Sequence, residues 1–144
     1  MSQNNKRKIL LVDDDEFIKI LFKDIFWVHG DEDLYDVKVV STIEEARRLM
    51  NDPETCPCIL FLDLMLSGPK ENFSLDKNES LKFLEEIKKD KNKKDITIVI
   101  FSGYGEKEVV KKAVELGADK FLVKGEFLPK DLIQLVDSFS AKKK

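Results

Sequence analysis

The chain has 144 residues, 42% of them hydrophobic, enough for one domain with a real core and too few for two ordinary ones. Its 25 basic and 28 acidic residues give a net charge of −3, which offers no electrostatic case for binding nucleic acid. No apolar run approaches the roughly 18 residues that a membrane span needs, and the polar, basic stretch Met1–Lys8 is not a secretory signal, so a cytoplasmic location is expected.

The first element is read at 8–12. Ile9-Leu10-Leu11-Val12 runs straight into Asp13-Asp14-Asp15. A continuous apolar run of this length reads as a strand buried inside a parallel sheet, so the acids stand at its carboxyl end. Asp15 is expected to cap the next helix, with Glu16 in its first turn. Ile18, Leu21, Phe22 and Ile25 share one face of that helix. Phe17, Phe22, Phe26 and Trp27 read as core and helix surface. His29, the single histidine, precedes Gly30 at the helix end, so a histidine base or a His-rich metal site is excluded. A second strand is read at 36–41, then a helix with Ile43, Ala46, Leu49 and Met50 on one face.

The third strand is read at 57–62, with Cys56 and Cys58 as structural thiols, since two thiols alone make a poor metal site. Residues 64–79 form a long connection where two to six residues are usual. Leu81, Leu84 and Ile87 carry the third helix, and the Lys88–Lys94 run is a solvated helix end and loop. A strand at 95–101 leads to a helix with Val109, Val110, Ala113, Val114 and Leu116, ended by Gly117. The last strand, 119–123, precedes a helix built on Leu128, Leu132, Ile133, Leu135, Val136 and Phe139. Five strands alternating with five helices imply right-handed crossovers and an α/β, doubly wound parallel sheet.

In such a sheet the strand ends share one edge, where ligands bind. That edge collects Asp13 and Asp14, Asp63, Ser102 and Lys124. Packed carboxylates repel unless a cation joins them, and Mg2+ is the hard cation that suits oxygen ligands. Asp63 is then both ligand and nucleophile, able to form an acyl phosphate. Lys124, the Ser102 hydroxyl and the metal can bind the charge on a transferring phosphoryl group.

This set of residues resembles the receiver domain of two-component response regulators. The resemblance covers about residues 6–141 and leaves 1–5 and 142–144 as flexible termini, too short for an output domain. It implies a flavodoxin-like (βα)5 fold with strand order 2-1-3-4-5. It also implies Asp63 as phosphoacceptor, and Asp13, Asp14, Asp63 and the Met65 backbone carbonyl as Mg2+ ligands. Ser102 matches the switch hydroxyl, Lys124 the phosphate-binding lysine and Phe121 the aromatic switch. The implied partners are a sensor histidine kinase or histidine phosphotransfer protein and an unnamed downstream protein. A homodimer through the face of helix four, strand five and helix five is a further implication. The leading expectation is a stand-alone phosphoacceptor switch, not an enzyme.

The sequence departs from the family in places. Gly125 stands where the family has a proline after a cis peptide, and a trans bond or a rearranged loop is expected because a cis bond before a non-proline costs about 2.5–4 kcal/mol. The connection after Asp63 is about nine residues longer than usual, and Leu66 replaces a proline. Gly103 fits the family's need for a small residue, and Met65 and Tyr104 fall where dephosphorylation is tuned. These departures motivate one alternative, a phosphorylation-independent binding module of the same fold. A more remote one is an Asp-nucleophile phosphatase, which needs a second acid where this chain has Met65.

Overall fold

The inner strand residues Ile9–Val12, Ile59–Leu62 and Ile98–Phe101 are apolar on both sides because they are sandwiched. We describe residues 6–30, 33–66, 78–103 and 107–142 from a computed structural model. Five strands, β1 (Arg7–Val12), β2 (Tyr35–Val40), β3 (Ile59–Asp63), β4 (Thr97–Ser102) and β5 (Lys120–Val123), form one sheet. Its order is β2-β1-β3-β4-β5 and every neighbouring pair is parallel. Five helices alternate with them: α1 (Glu16–His29), α2 (Ile43–Met50), α3 (Glu79–Lys89), α4 (Lys107–Glu115) and α5 (Pro129–Lys142).

Alternate strand residues feed two cores. Leu10, Val12, Leu60, Leu62, Ile98 and Ile100 pack with α2, α3 and α4. Ile9, Leu11, Ile59, Phe61, Val99 and Phe101 pack with α1 and α5. On that second face Phe22 meets Phe26, Phe61 and Phe101 at ring separations of 5.0–6.1 Å, tilted and edge-on contacts that lock α1 over the middle of the sheet.

The helices start where short polar side chains can cap them. Asp15 accepts from the N–H groups of Phe17 and Ile18, and Thr42 from that of Glu45. Gly117 follows α4 with φ 115°, a left-handed conformation that glycine adopts without Cβ strain.

Several expected boundaries shift. Asp63 and Ser102 are the last residues of their strands rather than the first beyond them. Cys56 and Cys58 precede β3, half-buried and free. Leu21 is part-exposed while Phe26 fills the α1 core position. Val114 and Leu128 are exposed, Leu128 lying ahead of α5, because these positions face away from the sheet. Tyr104, the terminal residues 1–5, 143 and 144, and residues 67–77 of the long connection lie outside the described residues.

Candidate functional site

The ladder registers bring the chemistry-bearing residues to one edge. Asp63 ends β3 opposite Phe101, and Ser102 ends β4 opposite Val123. The next pairings run just past the strands: Asp13 N–H donates to Val40 O at 3.0 Å, and Lys124 N–H to Ser102 O at 2.6 Å. The chain leaves β1 for β2 on one side and reaches β3 on the other. The acids of β1 and β3 thus stand where the winding direction reverses, the place where such sheets open a crevice.

The two buried acids use their oxygens alike. Asp13 Oδ1 accepts the Asp15 N–H at 2.9 Å, and Asp63 Oδ1 accepts the Met65 N–H at 3.1 Å. Their second oxygens turn to one cation: Lys124 Nζ lies 2.7 Å from Asp13 Oδ2 and 3.3 Å from Asp63 Oδ2. The Asp13 contact has ion-pair distance without hydrogen-bond alignment, and no other donor among the described residues satisfies that fully buried oxygen. Lys124 Nζ also lies 5.8 Å from the centroid of the Phe101 ring, which favours the charged form.

Burial, followed by the Asp13 charge, pushes the Asp63 carboxyl up from the usual 3.8 to about 6, with Lys124 opposing. Burial lowers the Lys124 ammonium, but Asp63 and Asp13 outweigh it and the net shift is upward. Two buried carboxylates therefore share one ammonium.

Asp14 is exposed beside them, and ligand oxygens of Asp13, Asp14 and Asp63 lie within 4.8 Å of one another. Three carboxylates, one carrying a buried oxygen without a directed donor, fit a hard dication such as Mg2+. Ser102 is buried at the same edge, whereas Phe121 on β5 is half exposed at 50%. The Lys124–Gly125 peptide is trans, and Gly125 takes φ 84° with open space where a Cβ would stand.

Two residues at this site escaped the sequence reading. Asn78 Nδ2 donates to Leu64 O at 2.7 Å, and Ser80 Oγ donates to Asp63 O at 2.6 Å. Asn78 before an apolar helical run carries an N-cap signal, and its Oδ1 does accept the Leu81 N–H at 2.8 Å. Nothing local marks Ser80.

A family model described as the response regulator receiver domain matches residues 9–137. The chain is 26% identical over 127 residues to the phosphate regulon transcriptional regulatory protein PhoB of Escherichia coli, covering 88% of this chain and 48% of that protein. It thus spans about half the length of the curated relatives it matches. The crystal structure of the receiver domain of NtrX from Brucella abortus superposes with a TM-score of 0.71 at 28% identity, covering 91% of this chain and 96% of that one. A response regulator from Thermotoga maritima superposes at 0.70, covering 93% and 97%, and at 18% identity shows the fold alone.

Proposed function

The chain belongs to the response regulator receiver domain family, a family of signalling phosphoacceptors and not classical enzymes, and on that premise we propose that Asp63 is its phosphoacceptor. The supporting observation is the convergence of Asp13, Asp14 and Asp63 oxygens within 4.8 Å, with Lys124 Nζ 3.3 Å from Asp63. In this reading Asp13, Asp14, Asp63 and the Met65 carbonyl hold Mg2+, which when bound supplies charge neutralisation for the phosphoryl group.

The donor is a phosphohistidine on a sensor histidine kinase or histidine phosphotransfer protein. The ionised Asp63 carboxylate attacks phosphorus; a P–O bond forms as the P–N bond breaks, and the pair of electrons returns to the donor imidazole. The Met65 N–H orients Asp63, and Lys124 and the Ser102 hydroxyl bind the phosphoryl oxygens. Ser102 then moves toward the phosphate, and Phe121, half exposed without it, turns inward. The face of α4, β5 and α5 thereby changes its population of binding-competent states. A downstream protein, or a second copy through that face, reads the change in the cytoplasm.

Gly125 motivates the phosphorylation-independent alternative, yet Lys124 reaches both acids beside it. The test is labelling with a small phosphodonor, or with beryllofluoride as acyl-phosphate mimic, followed by intact mass and NMR. A single Mg2+-dependent adduct, absent in Asp63→Asn, is expected. No adduct on the folded wild type would turn the assignment to the binding module.

A further inference from the structure

The peptide units just after the phosphoacceptor are gripped by side chains from the start of α3. Ser80 donates to the carbonyl of Asp63, and Asn78 Nδ2 to the carbonyl of Leu64. The Leu64 carbonyl and the Met65 N–H belong to the same planar peptide. One end of that plane is therefore held by Asn78, while the other holds Asp63 Oδ1 at 3.1 Å. Ser80 fixes the preceding plane in the same way. Both side chains are buried, Asn78 at 8% exposure and Ser80 at 1%. Donation to the Leu64 carbonyl also polarises its peptide and strengthens the Met65 N–H as a donor.

We infer that Asn78 and Ser80 are positioning residues: by clamping the Asp63–Leu64–Met65 backbone they set the direction of the Asp63 carboxylate toward Lys124 and the cation. The inference rests on the assignment of Asp63 as phosphoacceptor. It also gives the long connection a defined return point. The chain that departs after Leu66 comes back at the two residues that grip the strand it left. The orientation of Asp63 is thus tied to that return.

Asn78 has two separable roles. Its Oδ1 caps α3 through the Leu81 N–H at 2.8 Å, and its Nδ2 holds Leu64. Serine is as good a cap but offers no amide donor, so Asn78→Ser keeps the helix start and releases the grip. Ser80→Ala releases the other contact.

The experiment titrates Mg2+ at fixed beryllofluoride on wild type, Asn78→Ser and Ser80→Ala. It follows adduct formation and the Met65 amide proton by NMR, with urea unfolding as the check on folding. Loss of hydrogen bonds behind a metal ligand typically weakens metal binding about 10–100-fold. The half-saturating Mg2+ concentration is expected to rise about ten-fold in each variant, with the full adduct regained at saturating Mg2+. The Met65 amide proton is expected to move upfield as its bond to Asp63 loosens. An unchanged Mg2+ requirement and an unmoved Met65 amide in the folded variants would overturn the inference and leave the phosphoacceptor assignment standing. Failure of the wild type itself to form a Mg2+-dependent adduct would overturn both.

Discussion

Lys124 Nζ lies 2.7 Å from Oδ2 of Asp13, closer than to the phosphoacceptor candidate, Asp63, at 3.3 Å. Lys124, which follows β5, therefore reaches across β3 and β4 to the acid that follows β1. One ammonium against two buried carboxylates leaves negative charge uncompensated, the charge that Mg2+ would neutralise in the proposed site.

Neutralising Asp13 should separate stability from metal binding. Asp13→Asn retains Oδ1 for the Asp15 N–H and leaves Lys124 to Asp63 alone. In EDTA the variant should be more stable than wild type by about 1–3 kcal/mol, because a buried like-charge repulsion is relieved. Its Mg2+-dependent beryllofluoride adduct should disappear. Urea midpoints with and without Mg2+ check both, and a less stable variant in EDTA would count against the repulsion.

The raised Asp63 carboxyl fixes a pH dependence. Its folded value, about 6, lies above its usual 3.8, so between these pH values the folded state holds a proton that the unfolded state has released. This contribution to stability is full below about pH 4, is lost as pH rises through about 6, and is flat above. Its size is of order 2–3 kcal/mol for a shift of about two pH units. Glu45, Glu86 and Asp90, whose pKa values are lowered, act in the opposite sense but are common to Asp63→Asn. The difference between wild type and Asp63→Asn, measured by urea unfolding in EDTA from pH 4 to 8, should therefore grow in favour of the variant as pH rises. A constant difference would refute the shift.

Gly125 should be replaceable at a backbone cost only. At φ 84° with nothing near its Cβ position, Gly125→Ala is expected to lose about 1–2 kcal/mol. Gly125→Asn, which tolerates the left-handed region, should lose less. Both should form the beryllofluoride adduct, since the strain lies in the turn and not in the Lys124 contacts. Thermal unfolding with adduct mass spectrometry reads the two effects.

A control lies at the opposite end of the sheet. Asp137 Oδ1 accepts both the Tyr35 hydroxyl and Arg7 Nη1, each at 2.6 Å, tying β1 and β2 to α5. Burial and Asp137 push the Tyr35 hydroxyl up to about 12, so it stays a donor at every ordinary pH. Tyr35→Phe should cost about 1 kcal/mol while the Mg2+ requirement of the adduct stays unchanged. A change in that requirement would show coupling from this cluster to the site.

The strand Ile9–Val12 and the acids after it were legible because the sandwiched sheet demands apolar residues on both faces and frees its end for charge. The cap at Asp15 was legible for a similar local reason. The apolar faces of α1 and α5 were read less well. Periodicity alone does not say where a helix starts or which side meets the sheet, hence the exposed Leu128 and the buried Phe26. Ser80 was invisible, since its partner lies 17 residues back across the long connection.

What the sequence by itself determined is the alternation of elements and the placing of Asp13, Asp14, Asp63, Ser102 and Lys124 at strand ends, because hydrophobic period and strand termini are encoded by neighbours in the chain. Only the tertiary structure decided that Asp13 and Asp63 each spend one oxygen on a backbone N–H and share Lys124 with the other. It alone decided, too, that Asn78 and Ser80 grip the backbone after Asp63. Such contacts depend on sheet order and on where a long connection returns, and the directionality of hydrogen bonds makes them sensitive to distances no local pattern records.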